Sequence, residues 1–514
     1  MNYIKSVAAL CVAVAFLTGC DPGDFGDLNV NPNRPSEAYT SMLFTRSCTY
    51  IRYFTMTSSS YDPWPMEWTG YLSESKNNQY GSMQTTVSFG TADYYRYALK
   101  NLNLIIQMNE DEGKKNLASV LSFGSNANQV AAAKTLRAFF FMTLTDILGP
   151  IPYSEALKGE SEGIWTPAFD SQEFIYASLD ADLQEAYAQF DEDSSLSDAD
   201  ILYQGDISRW KKFNASLRMM MAIKLADVDP ANGKSRFAKA YQDGGMTQVA
   251  DGFHYTFGSD NNPDVPSYSW MYYVGNPDYA SANQNFVPNQ VLVEALKAYR
   301  DNRLFAYCDL NGYKGDREGD PDSFDSYFGV PFGLASPDAV YDIAAFCCSV
   351  DARYCEPQAT YGIITTARTL LVEAEAATLG WIDADADALY QAGIRASFAF
   401  SGADGVDAYL QNPKVILSSD KAEALKQIVM QRFLAGFLTD GIEAWSDWRR
   451  YNIPELPIEP GQADVGITVY PYRMQYSDAD KQYNVANAEA AIRTYLNGDD
   501  SRWQRVWWDV ADND

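Results

Sequence analysis

Between residues 131 and 148 the chain carries a stretch that no single contact surface can cover. Leu136, Phe140, Leu144 and Ile147 follow the helical period on one side, while Phe139, Phe141 and Met142 occupy the others. A helix apolar on every side must be enclosed on more than one face, so the chain has to build a multi-helix body around it. Tyr95, Leu99, Leu102 and Ile106, spaced by four, three and four, add an amphipathic helix just before it. Further helical segments read over 170–190, 208–227, 366–380, 388–400 and 420–439, several of them closed by Gly or Pro. With 46% apolar and 14% aromatic residues the core for such a body is available, and disorder is excluded for most of the chain.

Two long regions, 58–90 and 252–349, lack a sustained helical period and are rich in Gly, Pro, Asn, Asp and aromatics. They read as loops with short strands, and loops of that length in a packed domain usually carry function. The helices come in neighbouring pairs without a strict repeat. The expected fold is therefore mainly α: a degenerate tetratricopeptide-like helical-repeat scaffold with a large loop-rich, short-strand ligand face. No Pro- or Ser-rich linker divides the chain after residue 35, so 35–514 is expected to form a single domain.

Recognition of sugars or extended peptides in water calls for flat apolar faces bordered by hydrogen-bonding groups, which Tyr and Trp supply at low entropic cost. The first loop region offers Tyr61, Trp64, Trp68, Tyr71 and Tyr80, stiffened by Pro63 and Pro65. The second offers Tyr268, Trp270, Tyr272 and Tyr273, with Asn276, Asp278, Asn283 and Gln284 close behind. These nine aromatics are the candidate ligand contacts. The competing reading is that such rings plug gaps over the helices.

The amino-terminal end reads as an export signal. Lys5 precedes an apolar stretch over 7–17 and then Leu17-Thr18-Gly19-Cys20, which matches a bacterial lipobox. The stretch is shorter than the roughly 18–20 residues a spanning helix needs. Residues 1–19 are expected to be a signal peptide, Cys20 the lipidated residue, and 20–34 a flexible acidic tether. Several hydrocarbon chains on one cysteine would anchor the body stably.

A formal charge of −29 repels phosphate backbones and anionic headgroups, so nucleic acid and peripheral membrane binding are poor expectations. Besides Cys11 and Cys20 there are five cysteines: Cys48, Cys308, Cys347, Cys348 and Cys355. With His254 the only histidine, the last three fit no zinc spacing, and buried thiols are expected instead. Asp383, Asp385 and Asp387 alternate as in a calcium loop, yet Ala388 and Ile394 stand where that loop needs Gly and Glu. Residues 316–325 offer a place for an adventitious calcium ion, and no cofactor is expected. A surface glycoside hydrolase is the alternative of another class, since 68 acidic residues make a carboxylate pair easy to assemble. Against it, the chain has no His-Glu-x-x-His and no phosphate loop. The expectation is a protein that is not an enzyme.

Several segments carry a family resemblance. They are Leu28-Asn29-Val30-Asn31-Pro32-Asn33-Arg34-Pro35 past the tether, Asp146-Ile147-Leu148-Gly149-Pro150-Ile151-Pro152-Tyr153-Ser154-Glu155-Ala156 after the long helix, and Trp210 to Arg218. Toward the carboxyl end come Glu443-Ala444-Trp445-Ser446-Asp447-Trp448-Arg449-Arg450 with Pro454, then Pro471-Tyr472-Arg473-Met474-Gln475-Tyr476 with Asn484, Asn487 and Ala490. Taken in order they resemble the SusD/RagB family of nutrient-capturing outer-membrane lipoproteins, with departures at Ala215 and Arg368. The acidic tether is similar to the surface-export tag of Bacteroidota lipoproteins. The resemblance implies four tetratricopeptide-like units and a lid-like partnership with a SusC-like TonB-dependent transporter. It also implies a lipid-anchored place at the outer membrane facing the exterior, and a glycan ligand, with oligopeptide as the alternative. Most of the motif residues are expected to be structural: Trp445 and Trp448 core aromatics, Pro152 and Pro454 turn formers, and Arg449 and Arg450 satisfied by carboxylates or carbonyls.

Overall fold

Helices start in this chain where a short polar side chain can cap them, and the long apolar segment is the clearest case. The computed structural model describes residues 38–51, 64–74, 83, 88–258, 286–310, 319–334, 347–354, 358–439 and 441–510. Among them are twelve helices of nine residues or more. They are α1 (Thr40–Cys48), α2 (Lys100–Glu110), α3 (Asn126–Leu148), α4 (Gln172–Gln189), α5 (Ile207–Ile223), α6 (Pro230–Asp243), α7 (Gln290–Tyr299), α8 (Thr366–Leu379), α9 (Ala386–Ser401), α10 (Lys421–Ala435), α11 (Gly441–Tyr451) and α12 (Val485–Tyr495). Ser125 caps α3 by accepting from Asn128 N, and Ser171, Asp206, Thr365 and Asp420 do the same for α4, α5, α8 and α10. Gly149 ends α3 at φ 77°, a conformation that costs a residue with a Cβ, and turns the chain into Pro150.

Between Asn128 and Leu148 only Arg137 escapes burial, as an all-round apolar helix demands. Helix α3 lies between α2 and α4, α4 also meets α5, α5 packs on α6 and α8, and α8 packs on α9 and α10. This succession of neighbouring pairs is the tetratricopeptide-like arrangement expected from the pattern. Thr40–Asp514 forms one compact unit. The strands are short, and among the described residues they form five two-stranded ladders, such as Phe253–Thr256 against Thr360–Ile364.

Two details depart from the sequence reading. The apparent loop region 252–349 contains α7, capped by Asn289 and carrying Leu292, Val293 and Leu296 inward; ten residues are too few to show a sustained period beside so many turn formers. Ahead of α2 the turn Tyr94–Leu99 is a π-helix rather than an α-helix. Asp385 spends its carboxylate on the N–H groups of Asp387 and Ala388 at the start of α9, which is a helix cap. Cys48, Cys308, Cys347 and Cys348 are buried as expected, and burial pushes the Cys48 and Cys308 thiols up; Cys355 lies outside the described residues.

Most charged residues buried in the body are ion-paired or hydrogen-bonded. Glu373 on α8 is buried, and that burial pushes its carboxyl up to about 8. A carboxyl whose folded value lies above its unfolded value of about 4.3 favours folding below that pH and loses the contribution as pH rises through the folded value. We therefore expect the wild type to lose on the order of a few kcal/mol between pH 5 and pH 9 relative to Glu373→Gln. Urea unfolding at the two pH values measures this, and parallel losses in both proteins would show that Glu373 is not the titrating group.

Candidate ligand-binding site

The turn that leaves α3 builds an open, apolar cavity. Ile151–Pro152 pairs antiparallel with Phe169–Asp170, and the residues between swing outward through the short helix Gly159–Glu162. The carboxylate of Asp170 fixes the base of this excursion by accepting from Ser154 N at 2.7 Å and Ser154 Oγ at 3.0 Å. Its far end is held by the carboxyl-terminal region: Asn484 Nδ2 donates to Pro167 O at 2.6 Å and Asn487 Nδ2 to Thr166 O at 2.8 Å. Tyr95 OH and Tyr476 OH donate to the carbonyls of Pro152 (2.5 Å) and Pro150 (2.6 Å), so both rings present apolar faces.

The enclosed space is about 440 Å³, within the roughly 300–1,000 Å³ usual for ligand pockets. Leu148, Ile151, Phe169 and Tyr476 line it from the core side, with Tyr95 and Leu157 beside them. Trp165 and Tyr483 stand at its mouth with 75% and 82% of their surface exposed, the two most exposed large aromatics of the described residues. Lys100 Nζ and Glu160 Oε1 are bridged at 2.7 Å across the rim, near Arg96 and Asp480. Gly159 makes room for the indole: a methyl group there would lie 2.7 Å from the Trp165 ring. Wide flat rings over an apolar hollow, ringed by donors and acceptors, suit an amphipathic ligand such as a sugar.

The expected contacts fare differently. Trp64 and Trp68 are each 1% exposed and Tyr71 is 0% exposed, so the expectation that these three meet a ligand is corrected: they are core residues. Trp64 and Trp68 lie 4.9 Å apart and both pack on Trp445, at 5.2 and 5.9 Å. Tyr71 stacks on Phe433 at 4.9 Å and donates its hydroxyl to Phe433 O at 2.8 Å. Tyr61, Tyr80, Tyr268, Trp270, Tyr272 and Tyr273 lie outside the described residues. A second cavity of about 550 Å³ is lined by Trp448, Tyr470 and Tyr472, but those rings are buried, Tyr472 stacked on Trp448 and Tyr470 tilted against it. Trp165 and Tyr483 escaped the sequence reading. A lone Trp in the Gly- and Pro-flanked segment 159–167 was a usable signal for the first; nothing local marked the second.

The motif on α11 lines the core as expected. Trp445 Nε1 donates to Pro471 O at 2.9 Å, Arg449 Nη1 to the carbonyls of Asp146 (2.7 Å) and Tyr472 (3.0 Å), and Arg450 Nη2 to Glu375 Oε1 at 2.7 Å. Arg368, the departure from the family pattern, pairs with Asp447 of the same motif helix at 2.7 Å.

A family model described as starch-binding and associating with the outer membrane matches residues 32–477. The chain belongs to the SusD-like family. A SusD homolog from Bacteroides fragilis superposes with a TM-score of 0.75 at 24% identity, covering 92% of this chain and 99% of that one. A chitin-binding protein aligns with a TM-score of 0.72 at 25% identity, covering 92% and 99%. A chitin-binding SusD homolog from Flavobacterium johnsoniae aligns at 0.70 with 22% identity, covering 92% and 98%. No curated protein matches the sequence significantly. Among the described residues of this SusD-like protein no helix is long and apolar enough to cross a membrane.

Proposed function

We propose that this SusD-like protein is anchored by lipid on Cys20 at the outer face of the outer membrane, binds glycan oligomers, and passes them to a SusC-like TonB-dependent transporter. The family match across residues 32–477 supports the binding role, and the exposed Trp165–Tyr483 pair over an apolar cavity supports a sugar as ligand. Exposed rings cost free energy in water, and a chain retains such a pair most readily where a ligand covers it. Tyr61, Tyr80, Tyr268, Trp270, Tyr272 and Tyr273 are proposed as further contacts. The protein binds rather than cleaves, so an oligosaccharide incubated with it should be recovered at unchanged length.

The test is a glycan and peptide array probed with the mature protein and two variants. Trp165→Ala should weaken glycan binding about fivefold or more, the scale of roughly 1–3 kcal/mol for a lost stacking contact. Gly159→Ala should do so as well, by pushing the ring off its seat. An exposed ring contributes little to folding, so thermal unfolding of Trp165→Ala should match the wild type within about 0.5 kcal/mol. Undiminished glycan binding in both variants would move the ligand away from this cavity. Capture of peptides alone would replace glycan by oligopeptide, and shortened oligosaccharides would point to a hydrolase. Co-purification with a barrel transporter from native membranes tests the partnership.

A further inference from the structure

Resting on the glycan reading above, we infer that the cavity beneath Trp165 selects N-acylated amino sugars over plain hexoses, the acyl methyl entering the apolar hollow while the sugar ring lies on the indole and the amide meets the polar rim. The lining carries the argument. Leu148, Ile151, Phe169 and Leu157 offer no hydrogen bond from their side chains, and the hydroxyls of Tyr95 and Tyr476 are already donated to Pro152 O and Pro150 O. The hydroxyls of a plain hexose pushed against such a surface would lose water without gaining partners, which disfavours it. The methyl end of an acyl group meets no such penalty and gains burial, while its amide stays at the polar mouth.

The mouth has the opposite character. Lys100, Glu160, Arg96, Asp480 and Asn484 supply donors and acceptors around the two exposed rings. A ligand matched to both zones carries a compact methyl-ended substituent on a strongly hydroxylated body. That describes an N-acyl hexosamine oligomer better than a long-chain lipid, which would leave the polar rim unpaired, or an unsubstituted glucan, which would leave the hollow empty.

The test is titration calorimetry of the mature protein with tri-N-acetylchitotriose and with cellotriose, β-1,4 trimers that differ in the acetamido groups, and with a Leu-Phe-Leu tripeptide. Tri-N-acetylchitotriose should bind at least about tenfold tighter than cellotriose, the lower end of the roughly 10–200-fold a hydrophobic pocket yields for one added apolar group. In Ala156→Leu, which extends a side chain into the hollow, that preference should collapse, while Trp165→Ala should weaken both sugars together; thermal unfolding of each variant verifies its fold. Equal affinities in the wild type, or a preference that survives Ala156→Leu in a folded protein, would overturn the inference and leave glycan binding intact. Binding of the tripeptide alone, with neither sugar bound, would overturn the inference together with the glycan reading.

Discussion

Replacing Asp146 by Ala should cost the protein about 3–5 kcal/mol, the scale for removing one partner of a buried ion pair. Asp146 is fully buried at the end of α3. Its Oδ1 accepts from Tyr176 OH at 2.5 Å, Trp508 Nε1 at 2.8 Å and Gln172 Nε2 at 3.2 Å. Its Oδ2 accepts from Lys224 Nζ at 2.7 Å, and the same ammonium reaches Glu443 Oε1 at 2.7 Å. Burial alone would lower the Lys224 ammonium, yet Asp146 and Glu443 hold it above its ordinary value. Without Asp146 the Tyr176 hydroxyl and the Trp508 indole lose their acceptor, Gln172 keeps only Thr145 O, and Lys224 keeps one carboxylate. A typical domain is stable by only about 5–15 kcal/mol, so a loss of this size removes a large share of the total. Asp146 also precedes Leu148 and Ile151, so the ligand cavity should loosen with the core. Urea unfolding measures the loss, and a change below about 1 kcal/mol would mean that the pairing is energetically idle.

Glu375→Gln should be comparably damaging, again by about 3–5 kcal/mol, because it strips the charge partner from buried Arg450 and leaves buried Arg432 with Asp447 alone. Glu375 Oε2 accepts from Arg432, and Oε1 accepts from Arg450 Nη2 at 2.7 Å and Tyr451 OH at 2.6 Å. Burial alone would raise this carboxyl, but Arg432 and Arg450 overcome it and hold the group down at about 2. The sign follows from linkage. A carboxyl depressed in the folded state stabilises above its unfolded value of about 4.3, and that contribution is lost as pH falls through the folded value. Wild-type stability should therefore decline between about pH 4.5 and pH 2, while Glu375→Gln, already lacking the contribution, should decline less over that window. Equal acid sensitivity of the two proteins would assign the acid transition to other carboxylates.

These networks explain why much of the fold was legible in the chain. Helical period, Ser, Thr and Asp caps, and a Gly stop are local properties, and α3, α4, α5, α8, α9 and α10 follow them closely. The ordered motifs around Asp146, Trp445 and Arg449 were legible too, because in the folded protein they join the end of α3 to α11. The short α7 and the π-turn at Tyr94–Leu99 were not: too few residues repeat the period for it to stand out from neighbouring turns.

The sequence by itself determined the family, the helical body and the residues that staple it, since each is written in composition, spacing and order. Only the tertiary structure decided which aromatics face water. Tyr71 is withdrawn because Phe433, 362 residues away, accepts its hydroxyl, and Trp165 is offered at the surface where nearby Pro167 is held by Asn484, 317 residues further along. Burial depends on which distant surfaces meet a side chain, and no local pattern records that meeting.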